Sequence, residues 1–321
     1  MPALTLPALL FKVGETSIAI AEEDKMPATI ISGKDVSCQI RAELKDRAAR
    51  LKEKGHVPGL AVVLVGEDPA SVSYVTAKAK AAEEIGIFET TIRMAPDSSE
   101  EEILRQVDSL NRDERYNGFL VQLPLPKYVS SEKVINLISP DKDVDGFHPV
   151  NVGKMLRGEP CPLPCTPYGV VQLLVRGGYG PDGKHVVICG RSNIVGKPLA
   201  AMLIQKRKGA NATVTVCHTA TPDIRKFTLQ ADILVAAMGV PRAIKAEMVP
   251  PGCVVIDVGV NRVPDATAAK GFRLVGDVDF DAVKEKASAI TPVPGGVGPM
   301  TVTMLMMNTI EAAERKAGLA A

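Results

Sequence analysis

Tyr74 and Lys78 stand four residues apart in Ser71-Val-Ser-Tyr-Val-Thr-Ala-Lys78, and Ser71 lies three before Tyr74. On a helix this spacing puts all three on one face. At the carboxyl edge of a parallel sheet, where open α/β folds bind ligands, such a lysine could move a proton or polarise a carbonyl. The spacing fits equally well an exposed lysine beside a packed tyrosine, and Lys80 shows that lysine is common here. In Val121-Gln-Leu-Pro-Leu-Pro126 an apolar run ends on Gln122 and two prolines. An amide there can both donate and accept, which suits holding a lysine or reading a ligand amide, but a solvent-facing strand end has the same composition.

Asp141-Lys-Asp-Val-Asp145-Gly146 carries three acids in five residues. It is not a calcium loop, because Lys142 interrupts the ligand pattern and no Glu closes it. It is either a charged turn or an Asp aimed into a cleft to bind an amino-heterocycle. Gly190-Arg-Ser-Asn-Ile-Val-Gly196 follows a valine-rich run and opens a helix, the layout that cradles phosphates in dinucleotide folds. It lacks the G-x-G-x-x-G pattern. Arg191 could meet a phosphate on the adenosine ribose. The next strand ends at Cys217-His218-Thr219, with no acid where the ribose diol of NAD is read, which points to NADP. Pro292-Val-Pro-Gly-Gly-Val-Gly-Pro-Met-Thr301 has three glycines in four residues, enough for close backbone approach to a ligand or for a tight turn. Thr301 is expected to cap the helix that follows.

The positioning elements alternate between strand and helix. Helices are expected over 32–54 (Ser32 as cap, Gly55 as stop), from Asp68-Pro69 to Ile85, from Ser98 onward and near 132–138. Strands are expected at 60–66, 88–94 and 118–123. Six prolines interrupt the rhythm between 140 and 167, after which Thr166-Pro167 is expected to cap a helix through Arg176. Strands then read at 186–190, 213–218, 232–237, 253–258 and 274–275, with a helix from about 196 and a last one over 301–316. Such alternation predicts parallel sheets in two α/β units joined near the proline-rich stretch.

Composition narrows the function. Across 321 residues, 38 Lys+Arg against 37 Asp+Glu leave a net charge of +1. With 4% aromatics and no Trp there is little to bind or stack on a nucleic acid. No apolar stretch is long enough to span a membrane, and 1–21 lacks the basic start of a signal peptide. Six scattered cysteines read as reduced core thiols of a cytoplasmic protein, and the four histidines show no metal-ligand spacing. No metal site is expected.

Taken together, these segments resemble the bifunctional methylenetetrahydrofolate dehydrogenase/methenyltetrahydrofolate cyclohydrolase family over about residues 28–317. The matching segments are Tyr74 to Lys78, V-Q-L-P-L-P, K-D-V-D-G at 142–146, C-T-P at 165–167, G-R-S-x-I-V-G-x-P at 190–198, D-V-G at 257–259, G-D-V at 276–278 and P-V-P-G-G-V-G-P-M-T. The resemblance implies two α/β domains flanking a cleft, the second a Rossmann-like NADP-binding domain. Residues 1–28 would be an extension, 29–166 with 293–321 the catalytic, folate-binding domain, and 167–292 the nucleotide domain. It implies NADP-dependent oxidation of 5,10-methylenetetrahydrofolate, then hydrolysis to 10-formyltetrahydrofolate for uses such as purine biosynthesis. A monofunctional dehydrogenase is the alternative. Lys78 would be the catalytic lysine, Tyr74 would pack on the folate ring, Gln122 would tune Lys78, and Asp145 would bind the pterin amino edge. Val121, Leu123 and Pro294, Gly295, Gly296, Val297 and Gly298 would line the folate site. Gly190, Arg191, Ser192, Thr219 and Val260 would hold NADP. A homodimer through the nucleotide domains is implied as well.

Overall fold

The computed structural model describes residues 27–268 and 271–319. The extension expected over 1–28 falls, up to residue 26, outside the described residues. Ala28 is already packed against the second unit: it is buried, and its N–H donates to the Lys284 carbonyl.

The first unit comprises α1 (Gly33–Glu53), β2 (Gly59–Val65), α2 (Pro69–Ile85), β3 (Phe88–Met94), α3 (Glu100–Arg112), β4 (Gly118–Val121) and α4 (Ser131–Leu137), after a two-residue β1 (Thr29–Ile30). Its sheet has the order β3-β2-β4, all parallel. The caps are those the sequence suggests. Ser32 accepts from the Asp35 N–H, Asp68 from Ser71, and Gly86 closes α2 at φ 88°. Helix α1 turns Ile40, Leu44, Ala48 and Leu51 inward along one stripe, and full burial of each of the larger side chains contributes about 1.5–3 kcal/mol.

Two further helices follow, α5 (Pro149–Arg157) and α6 (Cys165–Arg176). Helix α5 sits inside the proline-rich stretch, which the prolines made look irregular. Pro149 occupies its first turn, where a missing N–H is harmless, and His148 caps it. The expected Thr166 cap of α6 is not formed. The helix starts at Cys165, and the Thr166 hydroxyl lies 3.0 Å from that of Thr301.

The second unit runs β5 (His185–Cys189), α7 (Gly196–Leu203), β6 (Thr213–Cys217), α8 (Arg225–Thr228), β7 (Ile233–Ala236), β8 (Val254–Asp257), β9 (Asn261–Pro264), β10 (Phe272–Val275), α9 (Phe280–Val283) and β11 (Ala289–Ile290). Its six-stranded sheet has the order β1-β11-β8-β7-β5-β6, every pair parallel. The chain goes outward from β5 to β6 and then returns to the other side of β5 with β7. The strand order therefore reverses beside β5, which is where open α/β sheets leave a crevice for ligands. Residues 29–30, placed by the sequence at the start of the first unit with no strand expected there, instead form β1 and close the outer edge of this sheet beside β11. Strands β9 and β10 form an antiparallel hairpin outside it. Strand β9 reads Asn-Arg-Val-Pro, half exposed and without apolar alternation, so no strand was expected there.

Helix α10 (Val297–Lys316) starts four residues before the position expected from Thr301. The loop ahead of it is docked on α1, with the Lys34 N–H donating to the Gly295 carbonyl. Helix α10 is buried on nearly all sides, packed against α1 and α6, with Met304, Met306 and Met307 among its buried residues. No helix among the described residues is long and apolar enough to cross a membrane.

Candidate active site

Lys78 and Gln122 come from different elements 44 residues apart, and the fold brings them into contact. The Lys78 side chain is buried, 7% exposed, and its Nζ donates to Gln122 Oε1 at 2.9 Å. Gln122 follows β4 directly and stays in register, its N–H donating to the Val63 carbonyl of β2. Its own amide nitrogen donates to the Leu123 carbonyl. Both amide atoms are thus used, and the oxygen is aimed at the lysine.

The acidic run divides its labour. Asp143 lies beside Phe119 as a parallel bridge, so the segment travels alongside β4 to the same edge. The Asp143 carboxylate is buried and accepts from the Gly146 and His148 N–H groups and from Asn151. It holds the turn. Asp145 is left facing Lys78 and Cys165, with Cys165 Sγ 3.8 Å from its Oδ1. Burial pushes the Asp145 carboxyl above its usual range, opposed by the Lys78 charge. Burial and neighbouring Asp145 hold the Cys165 thiol well above the usual range, so it remains a donor. Asn308 of α10 donates to the carbonyls of Val144 and Leu163 and fastens this corner from behind. Cys165 stands in the C-T-P motif; nothing in the sequence pointed to Asn308.

A cleft of about 780 Å³ opens between the units. Tyr74, 42% exposed, lines it from α2, one turn before Lys78. Pro294 to Gly298 line it from the loop into α10, and Val260 from the segment after β8. Lys78, Gln122 and Asp145 are not in its lining; Lys78, one turn after Tyr74 on α2, is buried, and Gln122 and Asp145 are half-buried. Val121 packs into the core with Ile103 and Phe119, so its side chain does not reach the cleft. Val121 and Leu123 instead line a much smaller cavity shared with Asp145. Arg41, Lys80 and Arg262 line the cleft, Arg41 paired with Glu84 at 2.8 Å. Gly296 packs against Thr291 and Pro292, whereas a Cβ at Gly298 would meet nothing within 4 Å. Packing therefore does not require glycine at 298, and the space beside it belongs to the cleft.

At the sheet reversal, Gly190 leaves β5 with φ 136°, and a Cβ there would collide with the Ala237 carbonyl after β7. A Cβ on Gly196 would collide with the Gly190 carbonyl. The turn is packed onto itself, and Arg191 and Ser192 stand exposed on it. The Ser192 hydroxyl accepts from the Val195 N–H at 3.1 Å. Thr219 is exposed past the end of β6, and no acid stands there. A backbone cradle with no room for side chains, a cation at its mouth and a hydroxyl at the neighbouring strand end fit a dinucleotide bearing a 2′-phosphate.

Comparison with known proteins agrees with this geometry. The sequence profile described as the tetrahydrofolate dehydrogenase/cyclohydrolase catalytic domain matches residues 31–145, and the profile described as the NAD(P)-binding domain of the same proteins matches 164–317. The bifunctional protein FolD of Syntrophus aciditrophicus is 57% identical over 294 residues, covering 92% of this chain and all of that protein. The crystal structure of the bifunctional FolD dehydrogenase/cyclohydrolase from Campylobacter jejuni is similar with a TM-score of 0.85 at 45% identity, covering 90% of this chain and 99% of that one. The Trypanosoma brucei dehydrogenase-cyclohydrolase, solved with NADP cofactor and inhibitor, is similar with a TM-score of 0.86 at 39% identity, covering 91% and 99%.

Proposed function

The chain belongs to the tetrahydrofolate dehydrogenase/cyclohydrolase family, and from this we propose that the single cleft between its units serves two consecutive reactions of one folate. The enzyme oxidises 5,10-methylenetetrahydrofolate to 5,10-methenyltetrahydrofolate with NADP, then hydrolyses the product to 10-formyltetrahydrofolate. When bound, NADP supplies the hydride acceptor of the first reaction.

The observation that carries the reading is the Lys78 Nζ to Gln122 Oε1 hydrogen bond beside Asp145, one turn along α2 from Tyr74 in the cleft lining. Tyr74 stacks on the folate ring, and Pro294 to Gly298 hold its other side. The Asp145 carboxyl, raised by burial and opposed by the Lys78 charge, is placed to accept from the amino edge of the pterin. Val121 and Leu123 contribute through their backbone and the small cavity rather than by reaching the cleft. Water attacking the methenyl carbon must lose a proton, and the folate nitrogen released on ring opening must gain one. Lys78 Nζ is the group placed to carry that proton, while Gln122 fixes its direction without adding charge next to a cationic substrate. The cofactor end held near Val260 and the folate held near Tyr74 share one cleft, which supplies the proximity hydride transfer needs. Lys80 and Arg262 in the cleft lining suit the carboxylates of a folate tail.

Gly190, Arg191, Ser192, Thr219 and Val260 hold the cofactor, with Arg191 on the 2′-phosphate. Replacing Arg191 with Ala is expected to raise KM for NADP about 10–100-fold, the loss of one charge-assisted hydrogen bond, with NAD turnover changed less than about twofold. Equal loss with both cofactors would remove Arg191 from this role.

The catalytic unit is 29–166 with 293–321 and the nucleotide unit 167–292, with β1 lent to the nucleotide sheet. The exposed edge strand β6 suits pairing with a second copy, which supports a homodimer through the nucleotide units. All six cysteines are free, in keeping with a cytoplasmic protein, where the formyl product would serve purine biosynthesis.

The test is absorbance of the purified protein with 5,10-methylenetetrahydrofolate and NADP. NADPH formation with little methenyl accumulation is expected. Methenyl accumulation would favour a dehydrogenase with little hydrolase activity, and no turnover in a folded, NADP-binding protein would overturn the reading.

A further inference from the structure

Two buried carboxylates occupy the carboxyl edge of the six-stranded sheet, Asp257 at the end of β8 and Asp277 just after β10. Asp257 accepts from the N–H groups of Gly259, Asp277 and Val278. Asp277 accepts from the N–H groups of Met238 and Gly239 and from the Asn261 side-chain amide. All six donors are uncharged. The glycines beside them leave room only for these carboxylates. A Cβ on Gly259 would collide with Asp277, and one on Gly276 with Asp257. Burial pushes the Asp257 carboxyl up to about 6 even though three N–H groups favour its charged form.

Two like charges in a core are costly, and the sheet does not need them, because Val254 to Ile256 already bury its apolar side. The pair instead fastens three loop ends together: 238–239, 258–261 and 276–278. Those loops present an unusual surface. Met238, Val240 and Val260 are 37%, 49% and 49% exposed, forming an apolar rim on backbone tied to the two carboxylates. Asp257 to Val260 also line the cleft, as Tyr74 does from α2. A flat ring carrying a carboxamide would find apolar contacts on that rim.

We propose that Asp257 and Asp277 are positioning residues for hydride transfer, holding the 238–240 and 258–261 backbone as the seat of the nicotinamide half of NADP. The inference rests on the cofactor reading given above. It makes the nicotinamide half, and not the phosphate half held near Gly190, depend on the clasp.

Calorimetric titration of the full chain with NADP and with 2′-phospho-ADP-ribose, which lacks the nicotinamide, separates the two halves. Asp277→Ala is expected to weaken NADP binding by about tenfold or more, the loss of hydrogen bonds to a buried charged group. The affinity for 2′-phospho-ADP-ribose and the cofactor-independent hydrolysis of methenyltetrahydrofolate should stay within about twofold. Asp277→Asn should restore most NADP affinity. Its amide oxygen can accept from Met238 and Gly239, while Asn261 turns its own amide over to accept from the new NH₂, giving up only its long 3.4 Å bond to the Val275 carbonyl. Asn261→Ala, at a half-exposed position that loses only part of the clasp, should shift NADP in the same direction by a few-fold and serves if Asp277→Ala does not fold. Unchanged NADP affinity, or equal weakening of both ligands, overturns the inference. Wild-type protein that binds neither ligand overturns the cofactor reading itself and the inference with it.

Discussion

Methenyltetrahydrofolate hydrolysis by Lys78→Met falls by about 10²–10⁴-fold, the range for removing a positioned proton-transfer group. The substitution is chosen for the site. Lys78 is 7% exposed, and Met matches the length of its four-carbon stem with a flexible, unbranched side chain. Gln122 Oε1 loses its donor, at a cost of about 1–3 kcal/mol if nothing replaces it. Gln122 is half-buried and its nitrogen remains bonded to the Leu123 carbonyl, so the local backbone should hold. The variant is therefore expected to fold and to keep its NADP affinity. With methylenetetrahydrofolate and NADP, overall turnover becomes slow or absent. The decisive trace is decay of the methenyl absorbance without cofactor. Hydrolysis near the wild-type rate would remove Lys78 from the proton path.

Gly190→Ala acts at the other end of the protein. Gly190 sits at φ 136°, a conformation L side chains rarely adopt, and its Cβ would enter the space of the Ala237 carbonyl, with the carbonyl carbon only 2.9 Å away. Neither neighbour can yield. Ala237 N–H donates to the Cys189 carbonyl and Gly190 N–H donates to the Cys217 carbonyl, so both are fixed to the sheet. Strain and overpacking together are expected to cost about 1–3 kcal/mol of stability. The turn can relieve the clash only by moving away from β7, which opens the phosphate cradle. NADP affinity should fall by about 100-fold or more, equivalent to about 2.7 kcal/mol. Cofactor-independent hydrolysis, carried by Lys78 in the other unit, should survive. The melting temperature, an NADP titration and the methenyl decay give three separate readouts. Unaltered NADP binding would place the cofactor elsewhere.

Local order was legible in the sequence wherever one residue type had one physical use. Ser32, Asp68 and Gly86 bound their helices as read, because capping needs a side-chain oxygen at one end and a left-handed residue at the other. The valine-rich strands of both units lie within a residue or two of expectation, since buried parallel strands read as unbroken apolar runs. Helix α5 escaped because prolines at a first turn and prolines in a loop look alike. Thr166 and Thr301 were read as caps, but they face each other between two helices.

The chemistry-bearing residue types were also fixed by the sequence: a lysine and a tyrosine one turn apart, a strand-ending glutamine, an acid before a glycine, and glycines around an arginine. Their ordered motifs carried the family and its two activities. The family resemblance already paired Gln122 with Lys78 and singled out Asp145, but only the tertiary structure makes the contact physically. Periodicity describes what lies three or four residues away, whereas the Lys78–Gln122 bond spans 44 positions and depends on β4 pairing in register with β2. Which of three clustered acids faces the lysine was likewise set by the bridge that lays Asp143 beside Phe119. The Asp257–Asp277 clasp joins the loops after β7 and β8, which are neighbours in the sheet, to the segment after β10 of the separate hairpin. Long-range contacts of this kind are set by sheet pairing and packing, and no local pattern of residues encodes them.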